Sequence, residues 1–147
     1  MKILFISSEL TPFAKSGGLG DAVSSLAAAL SKLGHDVRVL LPRYYFISKN
    51  TLRRINGLLE IDSARERHRA FLYTANLPNS QAKVYFLECD SLYGRNGIYG
   101  YSSSQEFPDN PERFSVLSKA AFALCRNLGW VPDIMHAHDW QIGRAHV

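Results

Sequence analysis

The densest group of chemically useful residues is Lys15-Ser16-Gly17-Gly18-Leu19-Gly20-Asp21. Gly17, Gly18 and Gly20 put no Cβ in the way of a ligand that approaches the main chain. A helix starting inside this segment presents unpaired N–H groups and the positive end of its dipole, a natural seat for phosphate. Lys15 adds a full charge that can meet a diphosphate. The spacing is neither G-x-G-x-x-G nor G-x-x-x-x-G-K-[ST], so generic dinucleotide and P-loop readings are poor. On glycine spacing alone, a plain strand-to-helix turn with a solvated lysine fits as well.

A second group lies near the other end of the chain: His136, His138 and Asp139. Together with Glu9 and Lys15 these residues would face one crevice if the strands before them are parallel and central. Open α/β sheets bind ligands there, outside the carboxyl ends of the strands. His136 and His138 share a strand face at i, i+2, which suits a metal pair, but no third ligand has convincing spacing and no metal is expected. The two cysteines, Cys89 and Cys125, lack CxxC spacing. They exclude a disulfide scaffold and a cysteine-rich zinc site, and they suit a reducing compartment. Cys125 falls on the apolar face of its helix, and Cys89 has no basic neighbour in sequence to make it a nucleophile.

The elements that must hold these groups follow from apolar spacing. Lys2–Ser7 is almost wholly apolar and rich in strand formers, as in a strand buried on both faces. From Leu19, Ala22, Val23, Leu26, Ala27, Leu30 and Leu33 keep helical spacing, and Gly34 follows where a left-handed cap wants glycine. Asp36–Leu41 is a second buried strand closed by Pro42, completing a βαβ unit. Leu58–Ile61, Ala70–Leu77 and Lys83–Leu87 read as strands, with Pro78-Asn79-Ser80 as a turn. Asp90–Asn110, rich in Gly, Ser, Tyr and Asn, reads as a long loop ordered by Tyr93, Tyr99 and Tyr101. Asn110 is placed as the N-cap of a helix over Pro111–Leu128 that Gly129 ends, and Val131–His138 as the last strand. The strands at Lys2–Ser7, Asp36–Leu41, Lys83–Leu87 and Ile134–His138 are expected to be parallel in one sheet.

Composition bounds the function classes. The 147 residues are one domain's length, 46% apolar and 20% charged, so disorder is excluded and roughly 68–70% of the unfolded surface can be buried. The first apolar run, Ile3–Ile6, is too short for a secretory core or a membrane span, and no later run is long enough either. A cytoplasmic protein is expected, without a membrane partner. Arg43, Lys49, Arg53, Arg54, Arg65, Arg67 and Arg69 cluster against Glu60, Asp62 and Glu66 within a net charge of +4. No aromatic interleaving or nucleic-acid motif accompanies them, so solvated strand and loop faces are expected rather than a nucleic-acid surface.

The residues resemble a known family. Lys2–Leu10 followed by Thr11-Pro12-Phe13-Ala14-Lys15-Ser16-Gly17-Gly18-Leu19-Gly20-Asp21 is similar to the amino terminus of bacterial glycogen synthases and plant starch synthases. The resemblance continues in Gly34-His35-Asp36-Val37-Arg38-Val39, in Tyr93-Gly94-Arg95-Asn96-Gly97-Ile98-Tyr99-Gly100, in Asp109-Asn110 with Arg113-Phe114, and in His136-Ala137-His138-Asp139-Trp140. Ser16 and Ala22 replace the more usual Thr and Val, mild changes. The resemblance implies a Rossmann-like, mostly parallel sheet with flanking helices, the N-terminal half of a GT-B glycosyltransferase. It implies a retaining transfer of glucose from ADP-glucose to the non-reducing end of an α-1,4-glucan, with no cofactor. By the same resemblance Lys15, Gly17 and Gly18 meet the donor diphosphate. Asp21, Tyr93 and His138 shape the glucosyl pocket, with His138 and Asp21 as the catalytic pair, and Glu9 lies near donor or acceptor.

The family also has a carboxyl-terminal domain with most nucleotide contacts, which this sequence lacks, so the polypeptide alone is expected to be inactive. A stand-alone sugar-nucleotide-binding module, or a basic interaction domain over residues 43–69, stays open beside the synthase reading, as does the oligomeric state. Residues 1–141 are read as the incomplete N-terminal domain and 142–147 as a non-native tail. Ile142-Gly-Arg-Ala-His-Val147 is what ATC-GGA-AGA-GCA-CAC-GTC encodes, a string that reads like a library adapter. On that reading Ile142 to Val147 should pack poorly.

Overall fold

The computed structural model describes residues 1–139 and Ile142. Strand β1 (Lys2–Ile6) has four successive buried residues, Ile3 to Ile6, as a strand flanked on both faces must. Helix α1 (Gly18–Lys32) buries Gly20, Val23 and Ala27 along one stripe, whereas Leu26 and Leu33 stay exposed. It stops at Gly34, whose φ of +94° only glycine adopts without strain. The Gly34 N–H donates to the Ser31 carbonyl and the His35 N–H to the Leu30 carbonyl, which satisfies the last carbonyls of the helix. Strand β2 (Asp36–Pro42) then returns parallel to β1, Lys2 opposite Asp36 and Ile6 opposite Leu40.

A three-strand antiparallel block follows: β3 (Arg53–Asp62), β4 (Arg67–Asn76) and β5 (Lys83–Glu88). Both β3 and β4 run well beyond the apolar cores at Leu58–Ile61 and Ala70–Leu77. Most of their added residues are exposed, Arg53, Arg54, Asp62, Arg67 and Arg69 among them, and the buried one in β4, His68, is polar, so hydrophobicity does not reveal them. A bulge between Ile55 and Leu59, with Gly57 at φ +118°, further breaks the alternation in β3. The segment read as one long loop is instead built from a short helix, α2 (Asp90–Tyr93), and a small hairpin of β6 (Gly100–Ser102) and β7 (Gln105–Glu106). A Cβ on Gly97 would collide with the Gly100 carbonyl, and one on Gly100 with the Gln105 carbonyl, so this fold depends on both glycines.

Helix α3 (Asn110–Leu128) has Asp109, not Asn110, at the cap position. Asp109 is occupied by Arg95, two N–H groups of which reach its carboxylate at 2.6 Å each. Asn110 instead opens the helix and spends its amide on Tyr99 and Arg113. The final strand, β8 (Ile134–Ala137), pairs parallel with β1.

The sheet order is β3-β4-β5-β2-β1-β8. The four strands expected to be parallel are β5, β2, β1 and β8, and they are. The chain leaves β1 toward β2 on one side, and it leaves β5 toward β8 in the opposite direction. Right-handed crossovers then put α1 and α3 on opposite faces. This makes the gap between the carboxyl ends of β1 and β8 the switch point of the sheet. Ile142, expected to pack poorly, does not: it is fully buried, and its carbonyl accepts from the Ser118 hydroxyl at 3.2 Å. The rest of the suspected tail, 143–147, lies outside the described residues, as do 140 and 141.

Candidate active site

Immediately after β1, Ser7, Ser8 and Glu9 are buried although polar. The main chain explains the first step: the Ser7 N–H still donates to the Leu40 carbonyl, extending the ladder by one residue. A tight turn follows, with the Leu10 N–H on the Ala14 carbonyl at 2.8 Å. Glu9 then receives the loop. Its Oε1 accepts from the Ser16 N–H at 2.7 Å and from the Gly17 N–H at 3.0 Å. The N–H of Gly17 is therefore taken, and the donors left for an anion are those of the first turn of α1, beginning with Gly18.

The three glycines divide their work. A Cβ on Gly20 would stand 3.1 Å from the Thr11 hydroxyl and 3.2 Å from the Ala14 carbonyl, so Gly20 seats the helix on its own loop. Gly17 and Gly18 have nothing within 4 Å of where a Cβ would be. Their space is open toward the helix N-terminus. Lys15 pairs with the first turn of the helix: its ammonium lies 2.6 Å from the Asp21 carboxylate, whose other oxygen accepts from the Thr11 hydroxyl at 2.7 Å. These two donors, Lys15 first, hold the Asp21 carboxyl below the usual carboxylate range. Both side chains are about half exposed, at 52% and 50%. The pair thus orients the lysine without removing it from solvent.

Across the switch point, the His138 N–H donates to the Ile6 carbonyl at 3.0 Å, so the backbone of β8 delivers this residue beside the end of β1. Its ring stands edge-on to Phe5 at 4.8 Å and stacks on His136 at 4.1 Å. Burial, with a smaller contribution from His136, lowers its pKa to about 4. Nε2 is buried and has no hydrogen-bond partner among the described residues. His138 is thus a neutral imidazole that offers a hydrogen bond and no charge. Asp139 follows at φ +68°, a left-handed conformation that non-glycine residues rarely adopt and that often marks a functional turn.

Glu9, Lys15, Gly17, Gly18 and Asp21 are brought into one connected loop, and His138 flanks it. Tyr93 is not. It is fully buried, and its hydroxyl donates to the Arg113 carbonyl at 2.6 Å. It packs edge-on to Tyr44, whose hydroxyl in turn donates to the Ser8 carbonyl. Tyr93 therefore supports the wall from behind and has no free face for a sugar. The sequence reading missed Tyr99 as a partner of Glu9: its hydroxyl donates to Glu9 Oε2 at 2.6 Å. Arg113 was also underread. It is fully buried, donates to the Leu92, Ile98 and Asn110 oxygens, and ties the 92–98 segment to α3. Both lie in blocks that carry the family resemblance, but their partners are distant in sequence and no local spacing marks them. A cavity of about 510 Å³ opens between Lys15 and Ser16 on one side and the 97–106 segment on the other.

Three cations of the basic stretch have local partners. Arg67 pairs with Asp62 and Glu60, Lys49 with Glu88, and Arg54 lies over the Phe71 ring. Cys89 and Cys125 are free thiols, and burial pushes the pKa of each up, away from a reactive thiolate. Among the described residues no helix is long and apolar enough to cross a membrane.

Comparisons with known proteins fit this loop and sheet. A glycogen synthase of Treponema denticola is 48% identical over 143 residues, 97% of this chain and 29% of the relative. Glycogen synthase 1 of Geobacter metallireducens is 41% identical over 143 residues, 95% of this chain and 28% of the relative. Among solved structures, the catalytic domain of starch synthase IV from Arabidopsis thaliana, bound to ADP and acarbose, superposes with a TM-score of 0.84 at 30% identity. It covers 98% of this chain and 29% of that one. The chain thus spans less than a third of the length of the relatives it matches. The profile of the starch synthase catalytic domain matches residues 2–147, and the chain belongs to that family.

Proposed function

We propose that this segment is the diphosphate-binding half of a retaining glucosyltransferase that moves glucose from ADP-glucose to the non-reducing end of an α-1,4-glucan. The observation that carries the reading is Lys15, held by Asp21 beside the first turn of α1 at the carboxyl end of a central parallel strand. When the bond from the anomeric carbon to the diphosphate breaks, negative charge develops on the departing ADP. An ammonium and helix N–H groups stabilise that charge without reorganising, which is where enzymes gain most. The incoming bond forms from the acceptor 4-hydroxyl, whose proton passes to the departing ADP.

The other residues follow from their geometry. Asp21 orients Lys15 and borders the glucosyl pocket. Neutral His138, delivered beside the end of β1, shapes the glucosyl pocket without adding charge. Glu9 fixes the loop beside the donor, and Tyr93 braces it from the second layer. ADP and acarbose bound to the Arabidopsis relative support a nucleotide and a glucan as the ligands. The remaining part of the cleft comes from residues beyond this segment, since the relatives are over three times as long. Half a cleft cannot align donor and acceptor, and alignment is worth ~7–11 kcal/mol of barrier. The segment alone is inactive. Two free thiols and a nucleotide-sugar donor support a cytoplasmic enzyme.

The test is a chimaera in which residues 1–139 replace the equivalent part of the Treponema denticola glycogen synthase. Glucan elongation from ADP-glucose is the expected result. A folded chimaera that elongates nothing, beside an active parent, would overturn the proposal.

A further inference from the structure

We infer that Tyr99 is a positioning residue for the diphosphate loop, acting through Glu9 without touching the donor. The inference rests on the donor site proposed above. The bonds run in one direction. A phenol has a single hydrogen, and that of Tyr99 goes to Glu9 Oε2 at 2.6 Å. The Ser8 hydroxyl, 2.7 Å from the Tyr99 oxygen, must therefore be the donor to it. Glu9, only 4% exposed, has its other oxygen on the Ser16 and Gly17 N–H groups. The loop that carries Lys15 thus hangs from a carboxylate whose second oxygen is set by Tyr99.

Tyr99 is itself clamped. Its carbonyl accepts from the Phe107 N–H at 2.9 Å and from the Asn110 side-chain amide at 2.8 Å. Asn110 accepts in turn from Arg113, which also holds the Ile98 carbonyl. Burial and the adjacent Glu9 carboxylate push the Tyr99 pKa far above the ordinary phenol range, so it remains a donor. Ser8–Tyr99–Glu9 is therefore a rigid strut from the start of α3 to the loop before α1. A loop that must put an ammonium and helix N–H groups on a diphosphate tolerates little displacement, since ~1 Å can cost about a hundredfold in rate. A hydroxyl that merely satisfied a buried carboxylate would affect stability alone.

Two measurements separate these roles. In the chimaera, Tyr99→Phe is expected to lower kcat/KM for ADP-glucose about fivefold or more, with KM for the glucan unchanged. Tyr99→Phe with Glu9→Gln should fall no further than Glu9→Gln alone, because both act through one carboxylate. In the 147-residue chain, Tyr99→Phe should speed amide exchange at Ser16 and Gly17 about tenfold while β1 and β2 stay protected. Ser8→Ala should give the same pattern, weaker, and replaces Tyr99→Phe if the latter does not fold. Unchanged exchange at Ser16 and Gly17, additive kinetic losses, or a lower Tm with unaltered kinetics would each overturn the inference. The exchange experiment reads no activity, so a silent chimaera overturns the donor assignment and leaves exchange to decide on Tyr99.

Discussion

Lys15 and Gly18 separate a ligand site from an ordinary turn more sharply than any other residues. In the active chimaera, Lys15→Ala is expected to cut turnover with ADP-glucose about 10²–10³-fold, the usual loss for one donor to a developing anion. Stability should hardly change, because the ammonium is half exposed and its pair with Asp21 is solvent-screened. Gly18→Ala is a stricter case. There is room for the Cβ, and alanine at a first helical position costs nothing. Tm should therefore hold while ADP-glucose affinity drops; unchanged affinity would return the glycine to a simple turn. His138 carries a pH signature. Its pKa of about 4 in the fold lies below the ordinary 6.5, so the unfolded chain binds the extra proton first. Its contribution to stability is complete above pH ~6.5 and is lost as pH falls toward about 4. His138→Gln should flatten urea-measured stability across that window, and an unaltered pH profile would show the ring to be protonated normally.

At the scale of elements, what the sequence made legible was whatever announces itself locally. Val23 and Ala27 with Gly34 marked α1, and the run from Phe114 to Leu128 with Gly129 marked α3, because burial and caps are written in short-range spacing. The ends of β3 and β4 escaped notice because Arg53, Arg54 and Arg67 are exposed strand residues with no apolar alternation. Asn110 looked like a cap because its type suits one; its actual partners, Tyr99 and Arg113, are tertiary. Arg113 shows what such contacts are worth. Arg113→Met would leave the buried Leu92 and Ile98 carbonyls and the Asn110 oxygen without their donor, at about 3 kcal/mol in total. Urea unfolding should register that loss, and a change under about 1 kcal/mol would mean the 92–98 segment is held otherwise. Gly34→Ala should cost about 1 kcal/mol by the same assay, since φ of +94° strains any side chain.

For the whole molecule, the order β5-β2-β1-β8 matters because it sets two distant parts of the chain, residues 9–21 and His138, on either side of one switch point. The alternation of buried strands and helices was sufficient to expect that sheet. Which atoms meet across it was not readable. Glu9 and Tyr99 are ninety positions apart, and nothing in either one's neighbours in sequence names the other. The central claim is that the open N-terminus of α1, beside Lys15, binds a nucleoside diphosphate. It is tested most directly by titrating the isotopically labelled 147-residue chain with ADP and following backbone amides by NMR. The largest, saturable shifts are expected at Gly18, Leu19 and Gly20, lost in Lys15→Ala, with small shifts over β3 and β4. Shifts confined to the basic residues 43–69, or none near α1 at millimolar ADP, would contradict it.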